Sequence, residues 1–392
     1  MPDDAATPPA HGRIIHEIVW SEALPWWLLF RAAGAAFSPT VILLALLGGL
    51  ATWAGWSIAD SLRIAGTDPA AEAILDESLS GGLVIPGPDG AGASATLAPS
   101  RRALPALGAA RGWLPRPAAD VLDLVAIPFS PTATLPRLGG ALARIGWFVL
   151  VWSIFGTAIS RQVALALVGE ETPGFVGGVL YGARKWPAAF NSVAFVLAGI
   201  VMLSVPGALL GLLMRLDWGL AIAGAVWPLV LAGAVVLAIL AIGLVAGWPL
   251  MVAAVGVERG DSFQAISTSF SYLYQRPLHY AFYAAVAAVV ALPAFAAAGL
   301  FADATNTLAL WAASFGMGHD RTRAVLEGLG QAGGGPWGVR ALAFWTRGLE
   351  SLLGSFGWGY FWAIATAAYM LLRQDVDGTE LDEVVLDEPA AA

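Results

Sequence analysis

VERGDSFQAISTSFSYLYQRPLHYAFYAAVAAVVAL, residues 257–292, holds three segments in succession: the end of one apolar run, a short helix with a polar face, and the start of the next apolar run. Asp261 stands where an N-cap belongs, with Gln264 three residues on at the capping-box position. Phe263, Ile266, Phe270 and Leu273 recur at helical spacing, with Gln264, Ser267, Ser271 and Gln275 on the other side. Pro277 ends the helix, because proline has no N–H and disfavours the α conformation at Arg276. Beyond it, to about residue 302, the chain is apolar enough to cross a bilayer. The reading is a membrane-surface helix handing over to a spanning one, with Arg276, Pro277 and His279 at the junction.

Composition agrees with that reading. Of 392 residues, 58% are hydrophobic and 12% charged, against roughly 45–50% and about 25% in soluble domains. Mean hydropathy is +0.72. So much apolar surface exceeds what one soluble core can hide, and lipid must cover part of it. The absence of Cys removes disulfides, thiolate nucleophiles and Cys-ligated metals from consideration. Lys185 is the single lysine among 20 basic residues, a usage typical, with the abundant Ala and Gly, of a GC-rich bacterial genome. No basic block points to nucleic acid.

Working outward, the chain divides into seven parts. Residues 1–36 form a Pro- and Ala-rich tail and an interfacial helix, 21–37 (SEALPWWLLFRAAGAAF), with Trp26 and Trp27 at headgroup level. The tail lacks the basic start of a signal peptide, so the first span is expected to stay uncleaved. Residues 37–59 are that span, and 60–139 a Gly/Pro-rich extramembrane loop. Residues 140–302 hold spans two to five, the fourth drawn from 218–256. That run would be about 58 Å long as one helix, against a hydrocarbon core of roughly 30 Å, and no turn cluster divides it. Residues 303–351 read as a second extramembrane loop, 352–372 as the last span with interface aromatics, and 373–392 as a solvated acidic tail.

The fold class expected is therefore all-α: a polytopic helical membrane protein of about six spans with interfacial amphipathic helices. A surface segment, an X-Pro step and a span occur three times, at Pro39, Pro187 and Pro277, which suggests three surface-helix-plus-hairpin units. Basic residues near span ends favour both termini in the cytoplasm, with Arg31, Arg161, Arg184, Lys185, Arg259, Arg276 and Arg373 on that side.

Chemistry-bearing motifs are sparse. The four histidines form no HExxH, and neither a GxSxG elbow nor a Walker A loop occurs. The Asp375-Asp377-Gly378 spacing has Val384 where a calcium loop needs its bidentate carboxylate. Arg259-Gly260-Asp261 reads as helix end, glycine terminator and N-cap. Gly207/Gly211 and Gly243/Gly247 have GxxxG spacing and would let the third and fourth spans approach closely. Asn191, Ser192 and Ser204 are the candidate intramembrane polar residues, serving an interhelical hydrogen bond or lining a solute path.

The order Glu258, Gly260, Ala265, Ile266 and Ser269 after a span resembles bacterial multi-pass families of unknown function. They include proteins similar to the membrane domain fused to some glycerophosphodiester phosphodiesterases. The resemblance implies a six-helix membrane module with interfacial helices and carries over no catalytic residue. The expectation is a non-enzymatic membrane scaffold, assembly or lipid-organising module without a cofactor. Its partners would be the bilayer and other membrane proteins; the alternative is a passive or weakly coupled transporter of a small solute.

Overall fold

The computed structural model describes residues 24–61, 135–330, 336–381 and 383–384, with no strand among them. A 3₁₀ turn at Pro25–Trp27 leads into α1, Leu28–Ala36, followed by α2, Pro39–Ser61, and α3, Leu135–Val168. Then come α4, Gly174–Leu213; α5, Asp217–Glu258; α6, Ser262–Gln275; and α7, Pro277–Met317. The chain closes with α8, His319–Gly330; α9, Trp337–Gly354; and α10, Phe356–Asp377. The protein is an all-α polytopic helical protein, in which α2, α3, α4, α5 and α7 are long and apolar enough to cross a membrane.

α10 is the packing centre. Every residue from 356 to 372 except Phe361 is buried, and the helix meets α1, α5, α3, α7 and α2. Trp358, Tyr360, Trp362 and Tyr369, expected at the membrane interface, are core residues instead. Trp358 stacks on Trp152 at 4.2 Å, and Trp248 meets Trp362 edge-on at 5.4 Å. Such pairs add about 0.5–1.5 kcal/mol each beyond their burial. This polar-tipped aromatic content is also why α10 is not among the five most apolar helices. Its neighbours, not lipid, surround it.

Glycines seat the large rings. A Cβ on Gly156 would lie 2.8 Å from the Trp362 ring, and one on Gly182 only 2.2 Å from the Ile154 carbonyl oxygen. The second of these sets how closely α3 and α4 approach.

Several expectations change. α1 has a packed face, with Leu29, Ala32 and Ala36 wholly buried against the bundle and Arg31 donating to the Leu167 carbonyl at 2.6 Å, while Trp27 and Phe30 stay exposed. Residues 174–187 form no separate surface helix, because α4 runs unbroken through Pro187. Apolar helices tolerate an internal proline where neighbouring groups compensate, so X-Pro marks a junction only at Pro39 and Pro277. The three-unit repeat thus lacks its second surface helix. The long 218–256 run is one continuous helix, as the missing turn cluster predicted.

Residues 303–351 are not a loop: α7 continues to Met317, and α8 and α9 fill most of the remainder. Asp303 is exposed, and the Thr305 hydroxyl bonds the Phe301 carbonyl at 2.7 Å, so polar residues here do not end the helix. The 60–139 loop expectation falls largely outside the described residues; 135–139 belong to α3. The acidic tail is helical as far as Asp377.

Candidate functional site

The richest polar constellation lies where α5 ends. Arg259 caps α5 in the left-handed region, φ 60° and ψ 17°. Gly260 was expected in that role; a side-chain-bearing residue takes it at a steric cost of about 1–2 kcal/mol. The last carbonyls of α5, where the helix's own bonds run out, draw donors from neighbours, and the Val255 carbonyl accepts from the Arg259 N–H at 3.2 Å as well. Tyr181 donates its hydroxyl to the Val255 carbonyl at 2.7 Å, and Lys185 its ammonium to the Arg259 carbonyl at 2.5 Å. The Arg161 guanidinium lies 5.5 Å from the Tyr181 ring centroid and 3.5 Å from the Val257 carbonyl. Cations gathered at a helix C-terminus also oppose the negative end of its dipole.

Glu258 is the hub. Its Oε1 accepts from the Tyr369 hydroxyl at 2.5 Å and faces Arg373 Nε at 3.3 Å; its Oε2 accepts from Gln264 Nε2 at 2.7 Å. The Glu258 and Arg373 side chains are only 12% and 15% exposed. Alongside, Tyr272 donates to Asp377, Tyr283 donates to Asp375 Oδ2 at 2.7 Å, and Arg276 lies 3.5 Å from the Asp375 carbonyl. Asp375 and Asp377, at the start of the acidic tail, are thus hydrogen-bond acceptors for tyrosines, while Glu380 and Glu383 are exposed as a solvated tail would have them. Burial first, and the bond to Asp377 second, hold the Tyr272 phenol well above its ordinary value. It stays a donor.

Asp261 caps α6 as expected: its Oδ1 accepts from the Gln264 N–H at 2.8 Å. The Gln264 side chain does not complete a capping box and goes to Glu258. Pro277 opens α7, with Arg276 displaced from the α region at φ −129°, ψ 51°. The buried face of α6 is a correction. It is Ser262, Ala265, Ser269, Tyr272 and Leu273, rotated from the expected Phe263, Ile266, Phe270 and Leu273. Small residues win that face because they let the backbone of α6 approach its neighbours, whereas Phe263 turns outward and stacks on Phe195 at 5.1 Å. Ile266 and Phe270 stay half-buried, and the Phe270 ring sits where a Cβ on Gly243 would be, 2.5 Å away.

Phe270→Asp is therefore expected to lower stability by about 1–3 kcal/mol, a carboxylate replacing a ring in a partly dry notch. Ser271→Asp should lower it much less, since Ser271 only holds the Gln275 side chain, at 2.6 Å. The readout is the fraction of protein still monodisperse in detergent after mild heating. Equal losses in the two variants would contradict the packing of the Phe270 ring against Gly243.

The other candidates do not assemble into a site. Ser192 is buried and Ser204 exposed, and each hydroxyl bonds within its own helix, to the Ala189 and Ile200 carbonyls at 2.7 Å. Asn191 is half-buried beside Ser192. A Cβ on Gly207 or Gly211 would meet nothing within 4 Å, so that pair does not join α4 to α5. Gly243 and Gly247 instead face α6, through Phe270 and Ser269. His279 is exposed, its ring 6.4 Å from that of Tyr283.

Sequence reading passed over Tyr369, Arg373 and Glu258 as a group. The available signal was an acid closing a 39-residue apolar run, with an Arg closing another. A buried acid at such a boundary needs a partner, and the second boundary offered one. Among the described residues no group of three His, Cys, Asp or Glu is placed to hold a metal ion. Both Glu258 oxygens are engaged, so the arrangement ties α5, α6 and α10 together. The resemblance on Glu258, Gly260, Ala265, Ile266 and Ser269 rests on those residues alone, because the chain matches no family model, no curated protein and no solved structure.

Proposed function

We propose that this chain is a non-enzymatic, lipid-organising scaffold of a bacterial cytoplasmic membrane, with the bilayer and other membrane proteins as its partners. The observation that carries the reading is the surface of α4 and α5. In their most apolar windows only 11% and 6% of residues are buried inside the structure. Apolar windows with so little internal burial, in helices of 40 and 42 residues, are built to face lipid where they cross a bilayer. The Glu258 cluster is in keeping with that reading: Tyr369, Gln264 and Arg373 take up the Glu258 carboxylate in tying helices together.

A cytoplasmic location for both termini draws support from the basic residues. Arg31, Arg161, Lys185, Arg259, Arg276 and Arg373 all serve contacts around the ends of α3, α5 and α10, consistent with one side of the membrane. The solute-path alternative draws less, since the Ser204 hydroxyl is exposed and bonded to its own helix.

The test pairs two measurements on the purified full chain. Native mass spectrometry from nanodiscs should find phospholipid retained after detergent exchange. Osmotic swelling of proteoliposomes in small neutral and ionic solutes should match that of empty vesicles. Complete loss of lipid, or swelling selective for one solute, would overturn the scaffold reading, and the second result would establish the transporter.

A further inference from the structure

The outer face of α9 is not explained by the bundle. Trp337, Phe344 and Trp345 are 78%, 67% and 73% exposed, and they lie on one stripe with Ala341 and Gly348, at spacings of four, seven, eight and eleven from Trp337. The opposite side is the packed one: Val339 closes on Gly328 of α8, where a Cβ would lie 2.7 Å from its Cγ1. Arg340 and Arg347, seven apart and both exposed, flank the stripe about 80–100° round the helix. The helix's one acid, Glu350, falls well away, about 160° from the stripe's centre.

Two further observations say what covers this face. α9 packs against α7, which carries exposed aromatics of its own, Trp311 and Phe315 at 59% and 75% exposure with their rings 4.8 Å apart. The stripe thus belongs to a helix packed on one long and apolar enough to cross a membrane. The charges beside it, Arg340 and Arg347, are both positive, with Glu350 beyond Arg347 on the side away from the stripe. Indole and phenyl rings prefer the boundary between headgroups and acyl chains, and an arginine beside them lays its stem along apolar surface while its guanidinium meets phosphate. A protein partner would leave the one-sided charge unexplained, whereas an anionic bilayer surface matches both parts of the pattern.

We propose that this face of α9, Trp337, Phe344 and Trp345 flanked by Arg340 and Arg347, is a membrane-surface anchor that takes anionic phospholipid headgroups of the bilayer its neighbours cross. The inference rests on the lipid-facing reading above and adds a site and a headgroup class to it. α9 lies at the lipid boundary, its aromatic stripe inward and its arginines among the phosphates.

Because the chain has no Cys, single-cysteine spin labels need no background removal. Full-length Phe344→Cys, Gly348→Cys and Glu350→Cys proteins are reconstituted in phosphatidylcholine nanodiscs, with and without phosphatidylglycerol. Position 348 has open space around it, which guards against a misfolded 344 variant. Labels at 344 and 348 should be reached by oxygen and shielded from an aqueous nickel reagent, and the label at 350 reached by nickel. Phosphatidylglycerol should deepen the shielding. Arg340→Gln with Arg347→Gln should lower the docked-to-undocked ratio by roughly 20–30-fold in those discs, the attraction of two basic residues to an anionic surface. Nickel access at 344 and 348 equal to that at 350 would overturn the proposal. So would spin–spin broadening, which would mark a second copy on this face, and so would shielding indifferent to both phosphatidylglycerol and the arginines. If α9 proves wet while phospholipid is still retained in the native mass spectra, this inference alone falls.

Discussion

Gly182→Ala is expected to destabilise the protein by about 3 kcal/mol, at the upper end for overpacking of a close-packed interior. The added methyl would stand 2.2 Å from the Ile154 carbonyl oxygen and 3.2 Å from the Ala158 Cβ. The nearer of these is backbone, so no rotamer change relieves it. α4 would have to move away from α3 by more than an ångström, and that shift would spread to Tyr181 and Lys185, which hold the end of α5. Gly207→Ala supplies the control. Nothing lies within 4 Å of its would-be Cβ, and its effect should be within about 0.5 kcal/mol of zero. Both are read from the midpoint of thermal loss of monodisperse protein in one detergent. Matching midpoints for the two variants would refute the close α3–α4 approach.

Glu258→Ala is the second large expectation, also near 3 kcal/mol, since it strands Arg373 and Tyr369 at a nearly covered position. Tyr369→Phe removes one donor and should cost about 1 kcal/mol. The diagnostic variant is the pair Glu258→Ala with Arg373→Met, which takes out both charges together. It should be markedly more stable than the sum of the single effects, by at least 0.5 kcal/mol, the coupling expected of groups in direct contact. Strict additivity would mean that Glu258 and Arg373 do not interact in the folded protein, and the network drawn around them would fail with it.

The junctions were the most legible features of the sequence. Asp261 as a cap and Pro277 as the first residue of α7 depend only on local backbone chemistry, which five or six residues suffice to write. The facing of α6 was not legible, because periodicity finds the larger apolar residues while packing here chose the smaller ones. Ala265 and Ser269 are buried for what they lack in bulk. Similarly, Pro187 and Asp303 were taken as boundaries by rules learned where water competes for the backbone; in long apolar helices those rules lose force. The Glu258 cluster joins residues more than a hundred positions apart, Glu258 to Tyr369 among them. No local pattern can announce such a pairing, although the need of each charge for a partner was visible.

The place of α10 bears on how the chain reaches this state. The helix that fills the centre is also the last of the described helices to leave the ribosome. Until it arrives, the faces it will cover on α1, α3, α5 and α7 have no native occupant, Trp152 lacks its stacking partner, and Glu258 lacks Tyr369 and Arg373. Insertion of the earlier helices and their final packing are thus separate events in time. The final packing of Trp152, Trp248 and Glu258 depends on the arrival of residues 356–373.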